Sequence, residues 1–506
     1  MDVAKRIGSQ DVSLRQLFPA ARMISTPDMT VRRCSADASD CSPGDVFVAG
    51  IDDTPADEAA AEAVAGGAIG IITEQLLPVS VPQCIVADAR EAYAHLVSEL
   101  AGKPSQQMLS IGVAGIDGKT STTLMVAAAL RKSGLRVAYN CDLGRSDGII
   151  QDVPRRPLSD AQDLTDWYAD ASDSGCQVAV VELSEAMLRS HAADGTSFDI
   201  MILSGDSDHA YLKSAQGGSL FNEAISHVRS KGLVILNESN AVAAQAAESS
   251  DLSILTYGTS QEADVVGRIM ERHAGETTFL ITAGDTTAAV RSRMTGDWMF
   301  HHQLAAAATA LVMDFPLETV AAGLSAMEKI PGRMQRVASY TGPQIVLDDA
   351  DCPERVMATI NTLRKELPRR GKIWCIAACD HRRTATHAAN LGYITERCSD
   401  HLVLTSGVSG TDEFLSLVHE MLDGVVDPAK PQLIANREAA IQWTINKATP
   451  NDLVVILGGW CPDSPRTIRA AIDADTKLAE QALERVEAID DTEPVILPHP
   501  ALLASM

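Results

Sequence analysis

Residues 112–123 read GVAGIDGKTSTT, and they join the apolar run MLSIGVA to the helical sequence LMVAAALRKSG. Glycine at 112, 115 and 118 lets the backbone curl until successive N–H groups point inward, and the following helix adds its positive amino-terminal end. Lys119 can then place a charge on phosphate oxygens, and Thr120 can offer a hydroxyl to Mg²⁺. The stretch therefore predicts a phosphate-binding loop between a strand and a helix.

The spacing of this loop departs from the usual G-x-x-x-x-G-K-[ST] pattern, because Val113 stands where the first glycine would be. Asp117 also adds a negative charge where an anion should bind. A glycine turn that kept its shape and lost its ligand would look the same in the sequence, so both interpretations stay open here.

Composition limits the classes of protein that the chain can represent. Its 506 residues need two to four domains, and 46% hydrophobic with 4% aromatic residues indicates an Ala- and Val-rich globular protein. The net charge of −25 argues against nucleic acid or an anionic membrane as the main partner. No signal peptide and no apolar run of about 20 residues is evident, so no membrane insertion is expected.

The cysteines give a further hint about the cellular compartment. None of the ten forms a Cys-x-x-Cys pair. Scattered cysteines of this kind are typical of reduced thiols in the core of a cytoplasmic protein.

The order of apolar runs and helical stretches predicts an α/β fold with three domains. Residues 1–105 mix short strands and helices. Residues 106–335 alternate continuous apolar strands with helices, as in a parallel sheet that is buried on both faces. Residues 336–506 repeat this alternation as a doubly wound, Rossmann-like unit and end in an acidic helical tail.

Several segments in a fixed order carry a resemblance to a known family. The loop GVAGIDGKTST resembles the nucleotide loop of the Mur ligases, the ATP-dependent amide synthetases of peptidoglycan precursor assembly. Further segments that resemble the family, in the same order, are DASDCSPGDVFVA (37–49), VVELSEAML (180–188), SGDSDHAYL (204–212), GDWMFHHQLAAAATAL (296–311), IPGRMQRV (330–337) and IVLDDADCPERV (345–356). The resemblance covers nearly the whole chain and is closest to the branch that adds the third amino acid, diaminopimelate or lysine, to UDP-MurNAc-L-Ala-D-Glu.

The resemblance implies a three-domain Mur ligase-like architecture with a central phosphate-loop domain that binds ATP, an amino-terminal domain like those that bind a UDP-sugar, and a carboxy-terminal ligase domain. In the family, ATP phosphorylates a carboxylate and an amine then attacks the acyl phosphate. Carried over by motif, the catalytic candidates are Lys119, Glu182, His209, Glu223 and Arg333. The candidates for binding ATP are Gly115, Asp117, Gly118, Lys119, Thr120, Ser121, His302, Arg333 and Asp348, and those for Mg²⁺ are Thr120, Glu182 and His209.

Other positions differ from the family pattern. Glu223 stands where counting from His209 places the family's carbamylated lysine. Either its carboxylate replaces the carbamate, or the metal-bridging anion is lost, and both interpretations stay open here. Met299 and His302 stand where the family has asparagines on the adenine side. The segments TSGVSGTDEF (405–414) and LGGWCPD (457–463) replace motifs that select the amino acid.

The pattern leaves two functions open. The first is an ATP- and Mg²⁺-dependent ligase of a UDP-muramyl-peptide-like or other carboxylate with an amine or amino acid, in which the recognition residues have changed. The second is a non-catalytic paralogue that binds nucleotide or acts as a scaffold. In either case we expect a cytoplasmic monomer with no nucleic-acid partner.

Overall fold

The structure is a computed structural model, and it describes residues 11–52, 54–154, 158, 160–205, 215–273, 275–339, 341–378, 384–407, 414–460 and 465–490. These residues form two compact units. The first lies within Met1–Ile269, Phe279–Arg291 and Trp298–Met327, and the second within Met270–Thr278, Ser292–Asp297 and Glu328–Met506. In the described part of the chain, no helix is both long and apolar enough to cross a membrane.

The amino-terminal part of the first unit is built around a small sheet with strand order β2-β7-β6-β5-β4, in which only the β2–β7 pair is antiparallel. The same part of the chain also forms a separate, antiparallel two-stranded sheet from β1 and β3. The elements are β1 Val12–Ser13, α1 Leu14–Leu17, β2 Arg22–Ile24, β3 Thr30–Val31, β4 Cys34–Ser35, β5 Val46–Val48, α2 Ala56–Ala65, β6 Gly70–Thr73, β7 Gln83–Ile85 and α3 Ala89–Leu100.

The central sheet follows with strand order β11-β10-β9-β12-β8-β13-β14-β15-β16-β17-β18. The neighbouring strands β9-β12-β8-β13-β14-β15-β16 all pair in parallel, and β8 lies between β12 and β13. The elements are β8 Leu109–Gly115, α4 Lys119–Lys132, β9 Val137–Cys141, β10 Gly144–Ser146, β11 Gln151–Asp152, α5 Ala161–Asp173, β12 Val178–Leu183, α6 Glu185–Arg189, β13 Phe198–Ser204, α7 Ala215–Ser226, β14 Val228–Asn237, α8 Ala241–Glu248, β15 Ser253–Gly258, β16 Val265–His273, β17 Glu276–Ala283, β18 Thr286–Ser292, α9 Asp297–Val312 and α10 Leu317–Ser325.

The middle strands of this sheet are mostly apolar and almost fully buried because helices cover both faces. Every residue of β12 is buried, and so is all of β8 except its first residue and all of β13 except Asp199. The carboxyl ends of these parallel strands lie at one edge of the sheet, where Gly115 and Ser204 are paired. The fold thus brings the residues that follow β8, β12 and β13 close to one another.

The second unit contains a sheet with strand order β19-β20-β24-β21-β22-β23, parallel except for the β19–β20 pair. Its core is formed by apolar residues of the strands and of the helices beside them. The elements are β19 Gln335–Val337, β20 Gln344–Asp348, α11 Pro353–Glu366, β21 Ile373–Ala377, α12 Ala385–Cys398, β22 His401–Leu404, α13 Phe414–Leu422, β23 Gln432–Leu433, α14 Arg437–Lys447, β24 Leu453–Leu457 and α15 Pro465–Asp490.

The predicted α/β class, with its parallel sheets, is confirmed. The predicted runs 177–183, 197–204 and 253–258 match β12, β13 and β15 to within a residue. The strands β16, β17 and β18 were not predicted. The four sheets lie within the three predicted domain ranges except that β19 begins at residue 335, but the chain forms two compact units, so the division into three domains stays a prediction.

A buried ion pair links the long helix α15 to the start of helix α14 in the second unit. The side chains of Arg437 and Asp475 are only 8% and 5% exposed, and Nη2 of Arg437 lies 2.8 Å from Oδ2 of Asp475. Nε1 of Trp460 donates to the same oxygen at 2.7 Å, and Nη2 of Arg437 also donates to the carbonyl of Gly458. Each charge therefore has an opposite partner, although Nη1 of Arg437 makes no hydrogen bond with any described residue, and the removal of one charge would leave the other buried alone.

We predict that Asp475→Asn destabilises the protein by about 3–5 kcal/mol, because the Arg437 guanidinium then loses its counter-charge inside the protein. Asp473→Asn is the matched control on the same helix. Its carboxylate is 63% exposed and pairs with Arg469, so we expect a cost of about 0–1 kcal/mol. Urea unfolding measures both, and equal costs for the two variants would contradict this account.

Candidate functional site

The loop between β8 and α4 has the backbone that a phosphate-binding loop needs. Gly115 has φ 149° and Gly118 has φ 79°, and side-chain-bearing residues rarely adopt these angles. Space is also short at both positions. A Cβ on Gly118 would lie 2.0 Å from Cε1 of His302, and one on Gly115 would lie 2.1 Å from the carbonyl oxygen of Ser204. Glycine is therefore required at both positions, because of the backbone angle and because a Cβ would collide with a neighbouring residue.

The first turn of α4 is tied to the end of β12 by a hydroxyl and a carboxylate. Oγ1 of Thr120 lies 2.8 Å from Oε2 and 3.1 Å from Oε1 of Glu182. The backbone N–H of Asp142, which follows β9, donates to Oε2 of Glu182 at 3.0 Å. Glu182 is 5% exposed and Thr120 is 6% exposed. Parallel pairing of β8, β9 and β12 brings these groups together from three separate segments of the chain.

The buried carboxylate of Glu182 lies in an unusual electrostatic environment. Burial and, next, the negative charge of Asp142 raise the pKa of Glu182, which is about 7 overall. Lys119 and the hydrogen bonds from Asp142 and Thr120 act in the opposite direction and lower it. A cation at this position would stabilise the ionised carboxylate.

The remaining loop contacts fix the backbone. Nζ of Lys119 donates to the carbonyl of Ile116 at 3.1 Å. Oγ of Ser204 lies 3.1 Å and 2.9 Å from the carbonyl oxygens of Ala114 and Asp117. Ser121, also predicted to bind the nucleotide, is buried in the first turn of α4. Sequence reasoning missed Ser204 as a support of the loop, although it begins the quoted segment SGDSDHAYL.

His302 lies at the phosphate loop. Its Nδ1 is 3.2 Å from Oγ1 of Thr122, its ring faces Gly118, and it is 6% exposed. Met299, which precedes it by one turn of α9, is also buried, and its carbonyl accepts a hydrogen bond from Gln303. The ring thus packs against the loop at Gly118. The predicted contact of His302 with ATP stays a prediction.

The structure does not bring Glu223 to Lys119 and Glu182. Glu223 lies on the last turn of α7, where its Oε1 is 3.8 Å from Nε2 of His227. His227 immediately precedes β14, at the amino edge of the parallel strands, whereas the phosphate loop follows the carboxyl end of β8. The predicted role of Glu223 as a metal-bridging anion beside the phosphate is therefore corrected: the carboxylate lies at the opposite edge of the sheet.

Arg333 and Asp348 are held by hydrogen bonds and ion pairs within the second unit. Nη1 of Arg333 lies 2.6 Å from Oδ2 of Asp349, which also pairs with Arg355. Burial raises the pKa of Asp349 to about 6, against the lowering effect of the two arginines. Asp348 accepts hydrogen bonds from the N–H of Met334 and from Oγ1 of Thr359 and is 6% exposed. These contacts hold the side chains of both residues in place. Their predicted roles with ATP stay predictions.

Some predicted positions lie outside the described residues. They include His209, predicted as a catalytic and metal-binding residue, and parts of the two segments that replace the amino-acid-selecting motifs, residues 408–413 of the first and 461–463 of the second. Trp460 is described, and its indole donates to Asp475 as stated above.

Taken together, a parallel sheet, a glycine-rich loop at its carboxyl edge and a Lys-Thr pair beside a buried carboxylate define a nucleotide-binding α/β protein. Comparison with known proteins narrows this class. The Mur ligase middle domain matches residues 113–311, and the Mur ligase glutamate ligase domain matches residues 332–459. The chain belongs to the Mur ligase family, whose members are ATP-dependent ligases.

Individual relatives agree with this assignment. The chain is 27% identical over 414 residues to the UDP-N-acetylmuramoyl-L-alanyl-D-glutamate–2,6-diaminopimelate ligase of Geobacillus kaustophilus, covering 79% of this chain and 83% of that protein. The Listeria monocytogenes enzyme of the same name is 23% identical over 484 residues, covering 93% and 98% of the two chains.

Solved structures show the same fold. A structure of a ligase with that name superposes with a TM-score of 0.65 at 22% identity, covering 92% of this chain and 99% of the other. The MurF ligase of Thermotoga maritima, solved in complex with ADP, gives a TM-score of 0.60 at 17% identity, covering 90% and 98%.

We predict that Gly118→Ala weakens nucleotide binding at least tenfold and destabilises the protein, because the new methyl group meets the ring of His302 at a left-handed backbone position. Gly134→Ala is the control. Gly134 also has a positive φ, 94°, but nothing lies within 4 Å of an added Cβ. We expect it to cost about 1–2 kcal/mol of strain and to leave binding unchanged. Calorimetric titration and urea unfolding measure both effects, and identical behaviour of the two variants would refute the contact.

We predict that Glu182→Gln changes the pH dependence of stability. With a folded-state pKa of about 7 against the usual 4.5, the native protein holds a proton that the unfolded chain releases, so wild-type stability falls as pH rises between these values. Glutamine has no such loss. Without Mg²⁺, the variant should gain a few kcal/mol over wild type at pH 8 but not at pH 4.5.

Urea unfolding at both pH values measures this difference. The control is Glu185→Gln, three residues further on, whose carboxylate is 38% exposed and pairs with Arg189. Its effect should stay within about 1 kcal/mol at either pH. If the difference between wild type and Glu182→Gln does not grow with pH, Glu182 does not hold a proton in the folded protein.

Proposed function

We propose that this protein is an ATP-dependent carboxylate–amine ligase that forms an amide bond between a UDP-muramyl-peptide-like acceptor and an amine or amino acid. The observation that carries the proposal is the retained group of Lys119, Thr120 and Glu182 at the carboxyl edge of the central sheet. The names of the sequence relatives, which describe a diaminopimelate ligase, support the acceptor class.

The residues at the loop fit ATP and Mg²⁺. The N–H groups that begin α4 and the ammonium of Lys119 offer positive charge to phosphate oxygens. The hydroxyl of Thr120 and the carboxylate of Glu182 are oxygen ligands of the kind that Mg²⁺ prefers, and they already lie 2.8 Å apart. Glu182 also lies where burial disfavours its charge unless a cation is present. When bound, ATP would supply the phosphoryl group that activates the acceptor carboxylate.

The protein's own residues would position the nucleotide and neutralise its phosphate charge. Lys119, released from the carbonyl of Ile116, would neutralise charge on the terminal phosphates, and Glu182 would hold the metal through the ionised form of its carboxylate. His302 would keep the turn at Gly118 in place. Asp348 and Arg333 are proposed to contact the nucleotide, as the resemblance implies, and His209 to bind metal.

The substrate-recognition residues are proposed to have changed. Met299 has no amide with which to bond a base, and its buried side chain offers only an apolar contact. We propose that the protein acts as a cytoplasmic monomer. Its net charge of −25 supports the absence of a nucleic-acid partner.

We predict that the protein releases phosphate from Mg²⁺·ATP only when a UDP-MurNAc-dipeptide and a suitable amine are both present, with an amide product in equal amount. Lys119→Ala should reduce this turnover about 100-fold or more, because a charge that stabilises the transferring phosphoryl group is lost. Lys132→Ala, at the exposed far end of the same helix, should keep full activity. Coupled phosphate release and mass spectrometry of the product measure the reaction.

The outcomes of this experiment separate the two candidate functions. Nucleotide binding that raises the melting temperature without turnover for any amine would favour the non-catalytic paralogue. The absence of both binding and turnover at millimolar ATP would overturn the proposal.

A further inference from the structure

A second cluster of ligand-type side chains lies away from the phosphate loop, in the first unit. Asp194 lies between α6 and β13, Glu223 lies on α7, and His227 lies between α7 and β14. One ligand atom from each of these side chains lies within 4.8 Å of the other two. Within the described part of the chain, no other group of three His, Cys, Asp or Glu side chains converges in this way.

The histidine of this cluster lacks the partner that a buried ring requires. The side chain of His227 is 7% exposed, and its Nε2 makes no hydrogen bond with any described residue. This atom points into the cluster, 3.7 Å from Oδ1 of Asp194 and 3.8 Å from Oε1 of Glu223. Oδ1 of Asp194 is likewise buried without a hydrogen bond. Two buried polar atoms left unsatisfied side by side call for a missing ligand.

The distances fit a bound ion better than direct hydrogen bonds. At 3.7–3.8 Å the groups are too far apart to bond to one another. Around a tetrahedral ion with bonds of about 2.0–2.2 Å, ligand atoms lie about 3.4 Å apart. A contraction of a few tenths of an ångström would therefore bring Nε2 of His227 to this spacing from both carboxylates.

A neighbouring histidine orients the aspartate. Nδ1 of His191 lies 2.7 Å from Oδ2 of Asp194, which leaves Oδ1 directed at the cluster. Nε2 of the same ring lies 3.7 Å from the carboxylate of Asp88, the residue that caps α3. Carboxylate ligands of metals are commonly held by such a second hydrogen bond.

We propose that Asp194, Glu223 and His227 bind a divalent transition-metal ion, Zn²⁺ foremost, at the amino edge of the central sheet. One imidazole nitrogen and two carboxylate oxygens form a ligand set suited to Zn²⁺ or Co²⁺, whereas Mg²⁺ prefers oxygen ligands alone. The side chain of Glu223 is 44% exposed, which provides an entry path and leaves room for water as a fourth ligand. The ion would link the end of α7 to the segment before β13, at the edge opposite to the phosphate loop.

The test uses the full chain, stripped of metal with a chelator and then titrated with Zn²⁺ or Co²⁺. We expect about one equivalent to bind, with a rise in melting temperature and a Co²⁺ visible spectrum of low coordination number. Glu223→Gln and His227→Gln should each weaken binding at least tenfold. Because Glu223 is partly exposed and Gln has a similar helix propensity, that variant should keep its fold even if His227→Gln does not.

Two further variants separate this site from other metal-binding groups. Glu182→Gln removes the carboxylate at the phosphate loop, and Glu248→Gln removes an exposed acid on α8; both should still bind the transition metal. Equal binding by Glu223→Gln and wild type, loss of binding in Glu182→Gln alone, displacement by excess Mg²⁺, or no binding by wild type would each overturn the proposal.

Discussion

The buried contact between the Thr120 hydroxyl and the Glu182 carboxylate, 2.8 Å apart, is the constraint on which the rest of the central site depends. It ties the first turn of α4 to the end of β12, and it therefore sets where Gly118 and Lys119 lie. The cost is that a carboxylate is kept out of water beside a second acid, Asp142. A protein selected for stability alone would gain from a neutral residue here, so retention of Glu182 favours a cationic ligand.

The loop backbone follows from this constraint. With α4 held against β12, the chain must turn within a few residues of the end of β8, and Gly115 and Gly118 adopt the angles that allow it. The ring of His302 and the residue Ser204 pack against the loop and fill the space that a side chain at Gly118 or Gly115 would need. Replacement of the family's amide at position 302 by histidine thus appears in the structure as packing against the loop.

Much of the fold could be predicted because its signals are local. Continuous apolar runs such as those of β8, β12 and β13 indicate parallel strands, and GKT after a strand indicates a phosphate loop. Glu182 was also identified, since it ends a buried strand within a family motif. The strands β16, β17 and β18 carry an alternating, half-exposed pattern, and none of them forms a continuous apolar run.

What the sequence could not provide is the pairing of residues far apart in the chain. Counting residues from His209 placed Glu223 beside the phosphate, but helix α7 carries it to the other edge of the sheet. The spacing of Glu223, on the last turn of α7, and His227, directly after that helix, was a local signal for a second site, whereas Asp194 gave none. Folding alone brings that aspartate to them.

The central claim, that the loop serves an acyl-phosphate ligase, is tested most directly by following oxygen. A UDP-MurNAc-L-Ala-D-Glu acceptor labelled with ¹⁸O in its carboxylates would be incubated with Mg²⁺·ATP and the amine, and the released phosphate analysed by mass spectrometry. Attack of the carboxylate on ATP predicts one labelled oxygen in the phosphate for each amide formed. Phosphate that carries no label would show that water, not the carboxylate, receives the phosphoryl group, and would contradict the account.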